Sequence, residues 1–401
     1  MGEVFTGSFT QQEPLPEASI AAAEAVLRHG RLHRYNTAEG EIAETALLEE
    51  EFAARTGAAF CLAVASGGYA LGCALRACGV TPGDTVLTNA FTLAPVPGAI
   101  AGVGAVPVLV GVTDALVIDL EDLAAKLDRA RVLLLSHMRG HICDMDRLMD
   151  LCDAAGVTVI EDCAHTMGAA WNGRPTGRWG LMGCFSTQTY KHVNSGEGGL
   201  LISDDAEAMA RAVLLSGSYM LYGRHRAAPP PEAFAELRYA VPNISGRMDN
   251  LRAAILRPQL RALTRQAGRW NDRYRKVAEG LADVPGLVVP ARPAAEQFVA
   301  SSIQFLLPDR SETEVAAVVA GCAARGVELK WFGAAEPVGF TSDYGSWRYA
   351  PQDRLPATDR VLAGLLDMRL PLTFSLDDCA LIARIIRAVV TEVLTPARGA
   401  A

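Results

Sequence analysis

The sequence has few charged residues and few aromatic ones, 20% and 6% of its 401 residues. Half of its residues are hydrophobic, which excludes a disordered or low-complexity chain. Its 37 Lys and Arg are outnumbered by 45 Asp and Glu. Because proteins that bind nucleic acids normally present a basic face, this balance predicts a protein that does not bind them. Small-molecule chemistry is favoured, and the length predicts two domains.

Cysteine pairs are also lacking, since the nine cysteines include no C-x-x-C and their number is odd. This pattern argues against a disulfide framework or a zinc ribbon and predicts reduced thiols. The first residues are acidic and interrupted by prolines, unlike a signal peptide. The longest strongly apolar stretch, residues 99–112, contains three glycines and a proline and is too short to cross a bilayer. We predict a cytoplasmic protein with no membrane partner.

Short β-rich runs alternate with helical segments between residues 20 and 213. The runs are residues 61–65, 85–88, 106–112, 132–136 and 157–161, with helices such as 120–127 and 145–155 between them. Such alternation predicts an α/β fold with a mostly parallel sheet. In these sheets ligands bind at the carboxyl ends of the strands, so the residues that follow each run become candidates for a site.

The second part of the sequence has a different character. Residues 224–242 contain three consecutive prolines and predict a long loop, and residues 248–277 predict a long helix interrupted or kinked at Pro258. A strand at 301–307 and helices at 312–325 and 376–394 predict a smaller α+β unit. We therefore divide the chain into residues 1–260, the N-terminal segment and large domain, and residues 261–401, the smaller C-terminal domain.

The most informative segment is residues 157–205. A buried strand ends in Glu161 and Asp162, and Lys191 follows another short run and precedes a turn rich in glycine and serine. Lysine is scarce, with four in the sequence, and Lys191 is the one in such a context. An Asp and a Lys at strand ends, beside Ser66-Gly67-Gly68 opening a helix, suit pyridoxal 5'-phosphate (PLP). The Lys would form a Schiff base with PLP, the Asp would keep its ring nitrogen protonated, and the helix N-terminus would hold its phosphate.

At these residues the sequence resembles the DegT/DnrJ/EryC1/StrS family of fold-type-I aminotransferases, which act on keto-sugars and cyclitols. The resemblance is carried by EDCAH at 161–165, FSTQTYKHVNSGEGG at 185–199, ASGGYAL at 65–71, FTLAP at 91–95 and SGRMDNLRAAILRPQL at 245–260. It implies a large domain with a seven-stranded type of sheet and a smaller C-terminal domain.

The resemblance also implies roles for individual residues. Lys191 corresponds to the catalytic lysine that carries the cofactor and moves the proton, and Asp162 to the partner of the ring nitrogen. His165 stands where the family has Gln or His near the ring hydroxyl. Gly67 and Gly68 match the turn that holds the phosphate, and Ser186 a further phosphate ligand.

The chain departs from the family's pattern at three places. Gly68 stands where the family usually has Thr, so a hydroxyl contact is replaced by backbone amides. The family commonly stacks an aromatic ring on the cofactor where this chain has Leu93, with Phe91 two residues before it. A phosphate-binding Asn of the neighbouring subunit usually lies where Ser245 stands, and the nearest Asn is Asn243. Leu93 and Phe91, and likewise Ser245 and Asn243, are therefore alternatives.

Each of these residues also has an ordinary interpretation: Asp162 as a turn cap, Lys191 as a surface lysine, His165 as a core histidine and Ser66-Gly67-Gly68 as a plain strand-to-helix turn. The combination favours the functional interpretation. His137, His141 and Cys143 lack a fourth ligand at suitable spacing, so no metal site is predicted there.

The predicted function is a PLP-dependent amino transfer from an amino acid, glutamate or glutamine, to a keto-sugar or keto-cyclitol, by way of pyridoxamine phosphate (PMP). The alternative is elimination, decarboxylation or epimerisation on the same scaffold. A non-catalytic sensor is disfavoured because the Asp and Lys are both present. The resemblance further implies a homodimer, with the cofactor at the interface and small molecules as the other partners.

Overall fold

The computed structural model describes residues 2–339, 343–351 and 353–395. Within them, short strands of two to five residues build three sheets. In chain order they are β1 Phe60–Val64, β2 Thr85–Asn89, β3 Val106–Val110, β4 Val132–Ser136, β5 Thr158–Asp162, β6 Ala170–Trp171, β7 Arg174–Pro175, β8 Met182–Ser186, β9 Gly199–Ser203, β10 Glu296–Gln297, β11 Ser302–Leu306, β12 Lys330–Trp331 and β13 Leu365–Arg369.

The helices vary from single turns to one of 32 residues. They are α1 Glu17–His29, α2 Glu44–Thr56, α3 Gly67–Ala77, α4 Pro95–Gly102, α5 Leu120–Ala124, α6 Met145–Ala155, α7 Ala206–Ser216, α8 Leu237–Ala240, α9 Asn250–Leu281, α10 Glu312–Ala323, α11 Pro356–Ala363 and α12 Leu376–Leu394. Side-chain oxygens cap several of them: Asp144 accepts from the Arg147 amide before α6, and Ser375 forms a capping box with Asp378 before α12.

The large sheet has seven strands in the order β1-β9-β8-β5-β4-β2-β3. The strands from β8 to β3 pair in parallel, and β9 is antiparallel to both of its neighbours. The predicted mostly parallel, seven-stranded sheet is therefore confirmed. Because parallel neighbours end at the same edge, β4, β5 and β8 bring their last residues together.

Both faces of this sheet are covered, as the apolar runs require. Along β4, Val132 and Leu134 belong to a core that includes α3, α4 and α7. Leu133 and Leu135 point to the other face and pack with residues of α6. Alternate side chains of each strand thus enter different cores. The polar residues at the strand ends lie at the edge of the sheet.

The smaller sheet, β11-β13-β12, is antiparallel and packs with α10, α12 and the end of α9 around a second core. Two residues from the beginning of the chain, Phe5 and Phe9, are buried in this core. Their rings lie edge-on to Phe374, with centroids 4.9 and 5.0 Å away. The N-terminal segment therefore packs with the C-terminal unit, while the division at residue 260 stays a prediction.

Two predictions about the middle of the chain need correction. The long helix is not interrupted at Pro258, since α9 is continuous through it. The carbonyl of Ile255 in the preceding turn accepts hydrogen bonds from Ser19 Oγ and Gln259 Nε2, both at 2.9 Å. The helix also packs against α1, α2 and α12, and such tertiary contacts offset the cost of a proline inside a helix. The predicted loop at 224–242 contains a 3-10 turn, Pro231–Phe234, and the short helix α8, and Phe234 is buried in the core.

Among the described residues, none of the helices combines the length and the apolar character needed to span a membrane.

Candidate active site

A cavity of about 450 Å³ lies at the carboxyl edge of the large sheet. It collects residues that are distant in sequence, from the ends of β5 and β8, the start of α3 and the loop that carries Lys191. Of the predicted site residues, those that line it are Gly67, Gly68, Leu93, Asp162, His165, Ser186 and Lys191. Most of the predicted site is therefore one continuous surface.

Lys191 is the half-buried amine of this cavity. Its Nζ lies 3.1 Å from Nε2 of His165. Burial lowers the pKa of Lys191 to about 7, and the charges of Arg139 and Arg369 add to this effect, while the Asp162 carboxylate opposes it. Burial and the nearby Lys191 charge hold the pKa of His165 well below its usual value. A large fraction of Lys191 is thus a neutral nucleophile near neutral pH.

Asp162 is the buried carboxylate at the end of β5, with 6% of its surface exposed. Its Oδ2 accepts a hydrogen bond from Ser136 Oγ at 2.9 Å, and Oδ1 accepts one from the Ala164 amide at 3.1 Å. The Ser136 hydroxyl in turn accepts from Thr92 Oγ1 at 2.8 Å. Two neutral donors leave about half of the carboxylate's acceptor capacity unused. The arrangement suits a cationic ligand group over Asp162.

The opposite end of the cavity is formed by the start of α3 and the end of β8. Ser66 caps the helix, accepting from the Tyr69 amide, so the amides of Gly67 and Gly68 are among those that a helix does not use internally. A Cβ added at Gly67 would lie 2.8 Å from Ser186 Cβ, so glycine is needed for this close approach. Free amides, a helix N-terminus and the Ser186 hydroxyl form an anion cradle.

The two candidates for a stacking residue are separated by the fold. Leu93 lines the cavity. Phe91 is buried in a core cluster, with its ring 5.1 Å from that of Phe332, and it is not among the residues that line the cavity. The structure therefore corrects the prediction for Phe91, because β2 and the following turn direct this ring into the core.

The two candidates for a contact across subunits lie outside the cavity. Asn243 and Ser245 are exposed, and Ser245 has a left-handed backbone with φ 62°. Between them, Ile244 lines a groove of about 370 Å³ that extends to Gly68. On one chain, neither residue reaches the cofactor site, and the predicted contact from a neighbouring subunit stays a prediction.

The model for the DegT/DnrJ/EryC1/StrS aminotransferase family matches residues 15–389. The chain belongs to this family. It is 32% identical over 276 residues to the L-glutamine:scyllo-inosose aminotransferase of Streptomyces griseus, a match that covers 67% of this chain but only 62% of that protein. It is 31% identical over 334 residues to the UDP-N-acetyl-3-dehydro-alpha-D-glucosamine 3-aminotransferase of Acidithiobacillus ferrooxidans, covering 79% of this chain and 84% of that protein.

Among solved structures, that of 3-amino-5-hydroxybenzoic acid (AHBA) synthase superposes with a TM-score of 0.82 at 27% identity, and covers 96% of this chain and 99% of that one. Family membership and this likeness confirm the predicted fold class and cofactor, PLP. The residues present fit the cofactor: the Gly67 cradle matches a phosphate, Lys191 an aldehyde, and the under-used carboxylate of Asp162 a protonated ring nitrogen.

Sequence reasoning missed several residues of this site. Ser136 supports Asp162, and Arg139 and Arg369 line a smaller cavity next to Lys191. Ser136 lies at the end of a predicted strand, which is a signal that could have drawn attention to it. Arg369 comes from the C-terminal unit, and its nearness to Lys191 depends on how the two units pack.

One buried group of residues has the composition of a metal site: His137, Glu161 and Cys163, whose ligand atoms lie within 4.8 Å of one another. Glu161 is already saturated. It accepts from His137 Nε2 at 3.0 Å and from the amides of Gly177, Trp179 and Gly180 at 2.7–2.8 Å. These hydrogen bonds account for the buried carboxylate without a metal. His137 is thus engaged with Glu161, and it is not among the residues that line the cavity.

Proposed function

We propose that the protein is a PLP-dependent aminotransferase that moves an amino group from an amino acid, glutamate or glutamine, to a keto-sugar or keto-cyclitol. The observation that carries the proposal is the juxtaposition of the buried Lys191 amine with the Asp162 carboxylate in one cavity that also has an anion cradle. The printed names of the relatives from Streptomyces griseus and Acidithiobacillus ferrooxidans support the choice of substrate class.

The bound cofactor supplies an electron sink and carries the amino group between the two substrates. Gly67, Gly68 and Ser186 would hold its phosphate, and Asp162 would pair with its ring nitrogen. With the cofactor bound, Lys191 Nζ would move the proton from the donor carbon to the cofactor carbon that carries the amino group. Its pKa of about 7 suits both steps. His165, held neutral by burial, orients Nζ from 3.1 Å.

A homodimer is part of the proposal. Large apolar side chains are exposed on one stretch of the chain: Tyr219 at 58%, Met220 at 54%, Tyr239 at 76% and Ile244 at 44%. Exposed apolar clusters of this kind favour a protein interface. Asn243 and Ser245 lie in the same stretch, next to the groove that extends to Gly68. A partner seated there would bring one of these two residues to the phosphate of the neighbouring site.

The cytoplasm is the proposed location. All nine cysteines are unpaired, and eight of them are buried, which suits a compartment that keeps thiols reduced.

The first test is attachment of the cofactor. Purified protein loaded with PLP is treated with borohydride, digested and analysed by mass spectrometry. We expect the label on Lys191, no label in the Lys191→Gln variant, and unchanged labelling in the matched variant Lys276→Gln. A wild-type protein that binds no PLP would contradict the proposal.

The second test is the first half of the transfer. PLP-loaded enzyme is mixed with glutamate, glutamine or alanine, and PMP is measured by absorbance together with the 2-oxo acid produced. Keto-sugars and keto-cyclitols are then added to the PMP form, and return of the PLP spectrum identifies acceptors. Bound PLP that yields no PMP with any donor would favour elimination, decarboxylation or epimerisation instead.

A further inference from the structure

A third cavity lies beside Lys191 and has a volume of about 80 Å³. Its wall is formed by residues 12–16 of the N-terminal segment, by the turn that follows Lys191 and by one side of α9. Lys191 lines this cavity as well as the larger one, whereas Asp162 and the anion cradle are not among its lining residues. We call the space the His192 cavity, after the residue that follows Lys191 in its wall.

His192 is buried, with 6% of its surface exposed, and neither of its ring nitrogens has a hydrogen-bond partner among the described residues. Burial and the charge of Lys191 lower its pKa to about 3, so the ring is neutral and carries one donor and one acceptor nitrogen. The ring of Trp270 lies edge-on to it, with 5.1 Å between the centroids. An aromatic face offers a weak acceptor to the N–H and no donor to the second nitrogen. The imidazole therefore calls for a polar partner inside the cavity.

Other polar side chains of the wall are already fixed by the protein. Gln259 accepts from the amide of Asn194 at 3.0 Å and donates to the carbonyl of the same residue at 2.7 Å. Glu13 is paired with Arg269 through two hydrogen bonds, at 2.6 and 2.8 Å. Neither side chain forms a hydrogen bond with the imidazole of His192. Because each of their oxygens can accept a second hydrogen bond, the wall offers acceptors to a small ligand that donates.

The ligand that fits this cavity is water. Glu13 is neutralised by Arg269 and His192 is uncharged, so, of the described residues that line the cavity, Lys191 alone brings an unpaired charge, and it is only partly protonated near neutral pH. A wall with so little net charge favours a neutral ligand over an ion. Since one water needs about 10–15 Å³, the space admits several. A water can donate to one ring nitrogen of His192 and accept from the other.

The His192 cavity lies between solvent and the Lys191 amine. Pro14 and Pro16, which form part of its wall, are exposed. On the inner side, the charge of Lys191 is close enough to His192 to lower the pKa of the imidazole. Water held by His192 therefore lies near the amine and near the surface of the protein.

We propose that His192 holds a small cluster of water molecules in this cavity, and that the cluster exchanges the protons of the Lys191 amine with bulk solvent. The water site follows from the cavity, while its effect on amino transfer rests on the proposed function. A proton that Nζ takes from the donor carbon passes to a water, and Nζ receives another proton from the cluster, so the charge of the amine does not change. His192 is a positioning residue, which binds the water by hydrogen bonds and stays neutral.

The water site is tested first, without turnover. The PLP-loaded protein is crystallised, and the distances from the His192 ring nitrogens to ordered waters are measured. We expect at least one water at hydrogen-bond distance, about 2.7–3.2 Å, its loss in His192→Leu and its retention in His192→Gln. A cavity with no water at either nitrogen, or one in which an ion or another ligand binds His192, would overturn the proposal.

The exchange is tested with deuterium. The PLP-loaded enzyme reacts in ordinary water with glutamate deuterated at the donor carbon, the reaction is quenched before the reverse reaction begins, and mass spectrometry gives the fraction of PMP that carries deuterium. Without exchange, the three hydrogens of the Lys191 ammonium group limit this fraction to about one third. We expect less than about one tenth in the wild type, a rise of roughly threefold in His192→Leu, and a value near that of the wild type in His192→Gln.

His29→Leu, at the exposed end of α1, is the matched control and should leave the deuterated fraction unchanged. Equal fractions in the wild type and in His192→Leu, whether low or high, would overturn the exchange, and a slower reaction or a lower unfolding midpoint would then show that His192 is structural. Failure of the proposed function gives a different result, namely water bound to His192 in an enzyme that forms no PMP from any donor. In that case proton exchange at Lys191 is measured by NMR on protein with isotope-labelled lysine, of which the chain has four, and His192→Leu should slow it.

Discussion

Glu161 and Asp162 are consecutive residues of β5, and both carboxylates are buried, but their surroundings differ. Glu161 faces away from the cavity and receives four hydrogen bonds. Burial alone would raise its pKa, but the hydrogen bond and charge of His137 and the amides of Gly180 and Gly177 hold that pKa below its usual value. Asp162 faces the cavity and receives two hydrogen bonds. A carboxylate with all its acceptor capacity used fixes a turn, whereas one with unused capacity awaits a ligand.

The largest expected effect is on catalysis. We expect Asp162→Asn to lower the rate of amino transfer roughly 10²–10³-fold, because a neutral amide no longer favours a protonated ring nitrogen. The measurement is single-turnover PMP formation from glutamate, with the unfolding midpoint measured alongside. Glu161→Gln is the matched control, one residue away and on the opposite face, and its folded fraction should react at nearly the wild-type rate. Equal losses of rate in both variants would contradict the different roles assigned to the two carboxylates.

The second prediction concerns stability. Glu161→Gln should lower the free energy of unfolding by about 3 kcal/mol, because an amide nitrogen would face amide donors and leave them without acceptors. Denaturant unfolding of the two variants measures this. Asp162→Asn should change the unfolding midpoint far less, because its remaining oxygen can accept from the Ala164 amide and the Ser136 hydroxyl can turn to accept from the new amide nitrogen. A larger loss of stability in Asp162→Asn than in Glu161→Gln would show that Asp162 is the structural residue.

The third prediction concerns pH. With a pKa of about 7, Lys191 of the cofactor-free protein is protonated below this value and neutral above it. The rate of PLP capture should rise about tenfold per pH unit below pH 7 and level off above it, whereas an ordinary lysine would level off near 10. Since Asp162 raises the pKa of Lys191, Asp162→Asn should move the plateau to lower pH.

Glu161→Gln supplies the control for the pH profile, because Glu161 is not among the groups that shift Lys191. Its plateau should coincide with that of the wild type. A wild-type profile that still rises at pH 9 would contradict the lowered pKa.

The smallest expected effect comes from the residue behind Asp162. Ser136→Ala removes the hydroxyl that donates to Asp162 Oδ2, and should slow PMP formation about 2- to 10-fold. Thr92→Val, one hydrogen bond further away, should have a smaller effect. If Ser136→Ala slowed the reaction as much as Asp162→Asn, the two residues would have to act as one unit.

Periodic segments of the sequence predicted the fold well. The helix at 145–155, the helix at 376–394 and the strand at 132–136 have the bounds that were expected from their patterns, because amphipathic spacing and capping residues are local properties. Pro258 misled the prediction of an interruption, since α9 packs against α1, α2 and α12 and such tertiary contacts cannot be read from local sequence.

The candidate site was predictable where it depends on motifs and not where it depends on tertiary packing. Asp162, Lys191 and the turn at Gly67 follow from short stretches of sequence. The direction of the Phe91 ring follows from how Phe332 packs against it. Arg139 and Arg369 meet only when a turn after β4 and the end of β13 are brought together, and no spacing in the sequence indicates this.

The burial of Phe5 and Phe9 in the C-terminal core has a consequence for synthesis on the ribosome. That core also contains Leu366, Met368 and residues of α12 as far as Val390. These two aromatic side chains are therefore translated well before α12, which supplies part of their native core. Until then they are available to chaperones and to other nascent chains. The small cavity, which Gln12 helps to line, is completed in the same late step.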